Sequence, residues 1–508
     1  MIAKIYSVVV SGLDGQLVEV EVDIHNGMPA FIIVGLPDAA IQESRERVRS
    51  AIKNSDLPFP RTKITVNLAP ADIRKTGPSF DLPIALGIVA EECKIPQELL
   101  NETLVVGELA LDGAVRSVAA ILPTVIFARE HGYKRVIVPE ENAIEAALIP
   151  DVEIIPAKNI NDLVKALAGE IPMPIQPASS IADIVSHTPE ENIDFSQIIG
   201  QLFAKRALLI AAAGGHNIIM EGPPGSGKTM LSKALRGILP PMGYEEIVEV
   251  SKIYSVAGKL SREHPLITQR PFRCIHHTAS AISIIGGGRD SRPGEISLAH
   301  KGVLFLDELL EFPQVVLETL RQPLEDGVIS INRVQSSCVY PARFMLVGAM
   351  NPCPCGFMGD TMKKCTCPPF AIERYRARLS GPLLDRMDIF IHVPRVNVDD
   401  IAQKTVIGQT SAELRTQVIA AREMQLKRLA ATGKTSNAEM GNKEIEQYCQ
   451  LDTVASEILQ KAVQRLDLST RAYYRTLKLA RTIADLEGAE DINPTHITEA
   501  LGYRERSK

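Results

Sequence analysis

The stretch His216-Asn217-Ile218-Ile219-Met220-Glu221 runs straight into Gly222-Pro223-Pro224-Gly225-Ser226-Gly227-Lys228-Thr229, and its reading decides the fold. A short apolar strand, a glycine loop and a helical stretch follow one another in that order. Such a loop lets backbone N–H groups turn inward around phosphates at a helix N-terminus. Lys228 reaches the β- and γ-phosphates, and the Thr229 hydroxyl ligates Mg²⁺. The spacing predicts a site for ATP and Mg²⁺. A glycine turn without a ligand is the competing reading, and the lysine, the threonine and the flanking elements all argue against it.

Downstream, Val303-Leu304-Phe305-Leu306 is a second apolar strand ending in Asp307-Glu308. Asp307 is placed to hold the Mg²⁺ through water, and Glu308 to polarise the attacking water, which suits hydrolysis rather than binding alone. A third strand, Phe344 to Met350, ends at Asn351. Buried strands alternating with helices predict a parallel α/β sheet from Phe195 onward. Residues 1–36 instead alternate apolar and polar as antiparallel strands do, and are followed by a helix over 38–54, a strand over 63–67 and helices over 80–92 and 117–131. Pro172, Pro174, Pro177 and Pro189 mark residues 171–195 as a linker. After about Val396 the pattern is wholly helical. Ser411 is read as the cap of a helix to Leu429, with further helices over 442–450, 453–465, 469–487 and 494–503. The expected domains are therefore 1–170, 196–398 and 399–508, joined by the linker.

A length of 508 residues suits about three such domains. The net charge of −6 looks unfavourable for nucleic acid, but it is an average: residues 1–170 carry −8, the linker −4 and residues 196–508 +6. Only the last of these is a candidate for meeting phosphate backbones. No apolar run is long enough for a membrane span or a secretory leader, so a cytoplasmic protein without membrane contact is expected. Of eight cysteines, four crowd into 353–367 as Cys353-Pro354-Cys355 and Cys365-Thr366-Cys367. Two thiolate pairs flanking a loop suit a tetrahedral Zn²⁺ site, although the C-x-C spacing is tighter than the usual pair; free or redox-active thiols are the alternative. Cys93, Cys274, Cys338 and Cys449 are read as buried thiols.

The order of these motifs resembles the AAA+ superfamily. That resemblance gives Asn351 the role of γ-phosphate sensor, Arg386 of Leu383-Leu384-Asp385-Arg386 that of an arginine finger inserted into a neighbouring subunit, and Arg471 of Leu468-Ser469-Thr470-Arg471 that of a second sensor. The stretches 271–295 and 324–334 resemble the helix-2 insert and the pre-sensor hairpin of the clade holding magnesium chelatase and the minichromosome-maintenance helicases. Arg289, Arg292 and Arg333 are then candidates for gripping DNA. Gly35-Leu36-Pro37-Asp38, Asn67 to Asp72, Gly77 to Pro83, Gly214-Gly215-His216-Asn217 and Gly294 to His300 carry a closer, full-length resemblance to the YifB/ComM family of magnesium-chelatase-like AAA+ ATPases.

The resemblance implies an α/β fold class: an AAA+ phosphate-loop NTPase core with a parallel sheet and a C-terminal helical lid, preceded by an α+β Lon-protease-like (S5-like) domain. It also implies a homohexamer that drives branch migration on DNA. In the front domain, Gly77-Pro78-Ser79 and Gly107-Glu108 resemble the Lon protease, but the family's lysine position falls on Leu122. A serine without a base is a poor nucleophile, so proteolysis is not expected and Ser79 is read as a helix N-cap. The rival function is a chelatase-like ATPase that remodels a protein partner without touching DNA.

Overall fold

A computed structural model describes residues 2–178, 193–288, 291–332, 337–360, 362–396, 408–466 and 468–504. Two sheets organise it. The front sheet has seven strands, in the spatial order Ala30–Val34, Lys63–Ala69, Asp14–His25, Ile2–Ser11, Thr103–Val105, Arg135–Pro139 and Glu153–Ala157. The long Ile2–Ser11 and Asp14–His25 strands pair antiparallel, whereas the last three strands are parallel, so the sheet is mixed. Along the Asp14–His25 strand, Val18, Val20 and Val22 face the core while the acids between them face out. This is the alternation of a sheet with one wet face.

The second sheet is entirely parallel, in the order Phe272–Ile275, Val303–Leu306, Met345–Met350, Ile218–Glu221 and Ile389–His392. Its central strands are buried on both faces, which is why they read as unbroken apolar runs. Helix Leu202–Gly214 packs on it, Ser411–Leu429 and Thr470–Leu486 pack on that helix, and all three share one core with the sheet. Thr410, not Ser411, caps the Ser411–Leu429 helix, because Thr410 and Glu413 form a reciprocal capping box. The Ser411 hydroxyl instead accepts the Phe195 N–H at 2.9 Å, and Asp194 accepts the Ser411 N–H. The linker therefore ends by Asp194, since Phe195 is fully buried in the second core.

Other expectations shift for local reasons. Ser79 lies inside a short 3₁₀ turn, Pro78–Phe80, and caps nothing; the helix begins at Asp81, with Phe80 at its N-cap. Asp81 is fully buried and held by Arg47 at 2.8 Å and by the Ser44 hydroxyl. Phe272–Ile275 belongs to the main sheet's edge rather than to a projecting loop. Leu324 to Asp326 close the Arg321–Asp326 helix, and the hairpin comes after them as Val328–Asn332 paired with Ser337–Pro341. Cys338 and Cys449 are buried as expected, but Cys93 is only partly buried and Cys274 is exposed.

The front and second units share a third core. Val125 and Phe127 of the Ile121–Glu130 helix pack with Val250, Ile253 and Tyr254 of the Tyr244–Val256 helix. At the centre of this joint sits Glu145, which accepts from the Ser255 hydroxyl at 2.5 Å, the Leu122 N–H at 3.3 Å and the Asn142 amide at 3.3 Å. Burial pushes its carboxyl up to about 7, although these three donors oppose the shift. Leu122, where the Lon resemblance looked for a lysine, is fully buried beneath Ser255. The hairpin makes a smaller bridge, with Cys338 lying against Ser11 and Gly12. Among the described residues no helix is long and apolar enough to cross a membrane.

Candidate functional site

The C-terminal ends of three adjacent parallel strands converge on one place. Ile218–Glu221 delivers Gly222, Val303–Leu306 delivers Asp307 and Glu308, and Met345–Met350 delivers Asn351. The loop ends on the Lys228–Leu235 helix, with Gly225 at φ +78 and Gly227 at φ +91. Both glycines are exposed, and a Cβ on either would meet no described residue within 4 Å, so the loop is open on that side. Among the described residues the buried Ser226 hydroxyl has no hydrogen-bond partner. An orphaned donor beside an open glycine cradle fits a phosphate group.

Lys228 folds back to the carbonyls of Gly222 and Pro223 at 2.7 and 2.9 Å, and burial lowers the affinity of its amine for a proton. The Thr229 hydroxyl donates to Asp307 at 2.9 Å, so the two oxygens expected to hold Mg²⁺ already meet. Glu308 adopts φ +53, a left-handed conformation uncommon for a residue with a side chain. This turns its carboxylate out of the strand line, where it remains half exposed.

A neighbour of Glu308 escaped the sequence reading. His277 Nδ1 lies 3.0 Å from the Glu308 carboxylate. The register explains it: Ile275 pairs with Leu306, and both residues lie two positions further on. Arg376 is the other omission, tying Glu221 at 2.7 Å and the Pro352 carbonyl at 3.4 Å.

Arg386 and Arg471 are not at this end. The N-terminal ends of the same strands, at Asn217, Gly302, Phe344 and Asp388, line a cavity of about 980 Å³ that also takes in both arginines. Arg386 is 7% exposed; its Nη2 contacts Glu325, and its Nε has no partner among the described residues. Arg471, on the first turn of the Thr470–Leu486 helix, lies 3.8 Å from the same Glu325 oxygen. Nearby, His216 spans Asp388 at 3.2 Å and Thr482 at 2.8 Å, joining sheet to helices. Burial alone would raise the Asp388 carboxyl, but His216, Arg475 and Lys478 outweigh it and hold it at about 2.

The four clustered cysteines do come together, their sulfurs all within 4.8 Å of one another. Of the DNA candidates, Arg292 is exposed on a two-residue ladder with Gly287, while Arg289 and Arg333 lie outside the described residues.

Three family matches tile the chain. Residues 194–401 match magnesium chelatase, subunit ChlI; residues 20–142 match subunit ChlI of Mg-chelatase; and residues 408–504 match the ChlI C-terminal family. Competence protein ComM of Haemophilus influenzae is 44% identical over 503 residues, covering 99% of this chain and 97% of the relative. YifB of Escherichia coli is 41% identical over 495 residues, covering 97% and 95%. The magnesium-chelatase 67 kDa subunit of Chlorobaculum tepidum is 30% identical over 164 residues, 32% of this chain and 23% of its own length. With a phosphate loop, an Asp-Glu strand end and a polar strand tip set on a parallel sheet, the chain belongs to the YifB/ComM family of magnesium-chelatase-like AAA+ proteins.

Proposed function

We propose that the protein is an ATP-hydrolysing motor that works as a homohexamer on DNA in the cytoplasm, as a helicase promoting branch migration of joint molecules during recombination or natural transformation. One observation carries assembly between subunits. The residues suited to hold and hydrolyse ATP lie at the C-terminal end of the sheet, and the arginines suited to complete the site lie at the other end. A chain cannot bring Arg386 or Arg471 to its own Lys228 across its own sheet. A neighbour's arginines can reach it, so both act between subunits.

In this reading Lys228 binds the terminal phosphates, Thr229 and Asp307 hold Mg²⁺, and Glu308 takes the proton of the attacking water. Asn351 orients the γ-phosphate, and the neighbour's Arg386 and Arg471 neutralise the charge that develops. A guanidinium supplied in trans ties hydrolysis to assembly. Contact with DNA falls to the second unit, through the hairpin and the stretch around Arg292, and the low aromatic content of 5% argues for backbone contact rather than base stacking. The relative named as a competence protein supports the DNA reading. The front unit is read as a Lon-like pseudo-protease serving as a platform, its lysine position filled by Leu122 under the joint. The four clustered thiols are read as a structural Zn²⁺ site.

The match to a magnesium-chelatase subunit favours one alternative, an ATPase that drives a partner's metal insertion without DNA. Turnover measured with and without single-stranded and branched DNA, at moderate and high salt, separates the two. Stimulation that fades with salt is expected; no stimulation and no salt-sensitive binding would leave the chelatase-like reading.

A further inference from the structure

The cysteine knuckle lies against the phosphate loop of its own chain. Its sulfurs are 3.4 Å apart for Cys353 and Cys355, and 3.6 Å for Cys365 with either. A Zn²⁺ tetrahedron with bonds of about 2.3 Å has edges of about 3.8 Å, so the thiols need only a small outward shift to bind the ion. Backbone N–H groups of Cys355, Met358 and Cys367 point at the sulfurs of Cys367, Cys353 and Cys365 at 3.3, 3.3 and 3.4 Å. Hydrogen bonds of that kind favour the thiolate, the form that binds metal.

The knuckle leaves the sheet immediately after Asn351 and touches the nucleotide site at two points. Gly356, at φ +83, brings its backbone so near the loop that a Cβ would lie 2.7 Å from Pro224 Cδ. Arg395 then fastens the pair: its Nε is 3.0 Å from Asp360, Nη2 reaches the Pro224 carbonyl at 3.4 Å, and the guanidinium lies over the Phe357 ring at 5.6 Å. The knuckle is mostly exposed or half-buried, with Cys353 and Gly356 buried. A metal at its four sulfurs would tie its two cysteine pairs together.

We infer that the metal-bound knuckle braces the phosphate loop, so that Zn²⁺ at Cys353, Cys355, Cys365 and Cys367 sets the affinity of the same chain for ATP. The inference rests on the ATP and Zn²⁺ readings above. If the loop holds its binding shape about a tenth of the time once the brace is gone, apparent affinity falls about tenfold.

The experiment uses the full-length protein, purified without chelator. Its metal content is measured, and its affinity for a fluorescent ATP analogue is measured before stripping, after stripping with a chelator, and after adding back Zn²⁺. About one Zn²⁺ per chain, roughly tenfold weaker binding when stripped and recovery with Zn²⁺ but not Mg²⁺ are expected. Arg395→Gln keeps all four thiols, so it should keep its metal and still bind the analogue several-fold more weakly; this arm holds even if the stripped protein unfolds. Less than about half a Zn²⁺ per chain overturns the metal site. Full metal with unchanged analogue affinity in Arg395→Gln overturns the brace. Equal analogue binding by the parent and Lys228→Ala proteins overturns the ATP reading beneath both.

Discussion

The two ends of the parallel sheet are built differently. At the C-terminal end the functional groups come from loops that directly follow strands, so each is fixed by the strand before it: Gly222 after Glu221, Asp307 after Leu306, Asn351 after Met350. At the N-terminal end the arginines come from elsewhere, Arg386 just ahead of the edge strand and Arg471 from the helical C-terminal region, and a shared carboxylate, Glu325, brings them together. One end carries the phosphate loop with Lys228 and the carboxylates Asp307 and Glu308; the other carries two arginines gathered on one carboxylate. On the proposed reading these are two half-sites facing opposite ways, which favours a ring or filament in which each subunit completes the next.

The largest expected effects test the first half-site. Lys228→Ala should abolish turnover and nucleotide binding together, whereas Glu308→Gln should keep binding and lose at least about 100-fold in turnover. Hydrolysis at the parent rate by Glu308→Gln would remove Glu308 as the base. The second half-site is tested by mixing. Arg386→Ala alone should cost on the order of 10³-fold in turnover, yet Arg386→Ala and Lys228→Ala chains mixed before assembly should recover activity. In such a mixture an intact loop can face an intact arginine. If no mixing ratio restores turnover, the arginines act within their own chain and the comparison fails.

A smaller effect sharpens it. Glu325 contacts both arginines, so on the proposed reading it competes for them with the neighbour's nucleotide. Glu325→Ala should lower the ATP concentration needed for half-maximal assembly by roughly threefold, read by light scattering or ultracentrifugation. The smallest effect on catalysis belongs to the joint that touches neither end. The Glu145 carboxyl is raised from 4.5 to about 7, so the folded joint holds a proton that the unfolded chain releases. Its stabilising influence is therefore full below about pH 4.5 and is lost as the pH climbs through 7, a change of roughly 3 kcal/mol. Unfolding at pH 5.5 and pH 8 should differ by about 2 kcal/mol of that loss, and Glu145→Gln should flatten the difference while leaving turnover per assembled site near the parent value.

The sequence was informative about features that depend on neighbours in the chain, and silent about those that depend on neighbours in space. The phosphate loop, the Asp307-Glu308 strand end and the four-cysteine cluster are runs whose chemistry is local. The helix over residues 411–429 was legible to its last residue, but not its cap, because Thr410 and Ser411 are equally good N-cap types and only the Glu413 side chain chooses between them. His277 beside Glu308 required the register of two strands some thirty residues apart, and Glu145 beneath Ser255 required the docking of two units. Arg386 and Arg471 were named through family resemblance. Their shared Glu325 could not be, since a carboxylate near the end of a helix followed by a turn looks like any solvated acid.

The contact between the hairpin and the front unit carries a mechanical implication. A Cβ at Gly12 would lie 3.5 Å from Cys338 Cβ, within the span a disulfide bridges. Gly12→Cys should therefore crosslink to Cys338 under mild oxidation and hold back DNA-stimulated turnover until reductant is added; unchanged turnover in the crosslinked protein would show that the hairpin need not travel. Sliding by one residue of strand, about 3.4 Å, is enough to leave this contact. If the hairpin travels on DNA as proposed, the front unit is the backstop from which each stroke begins.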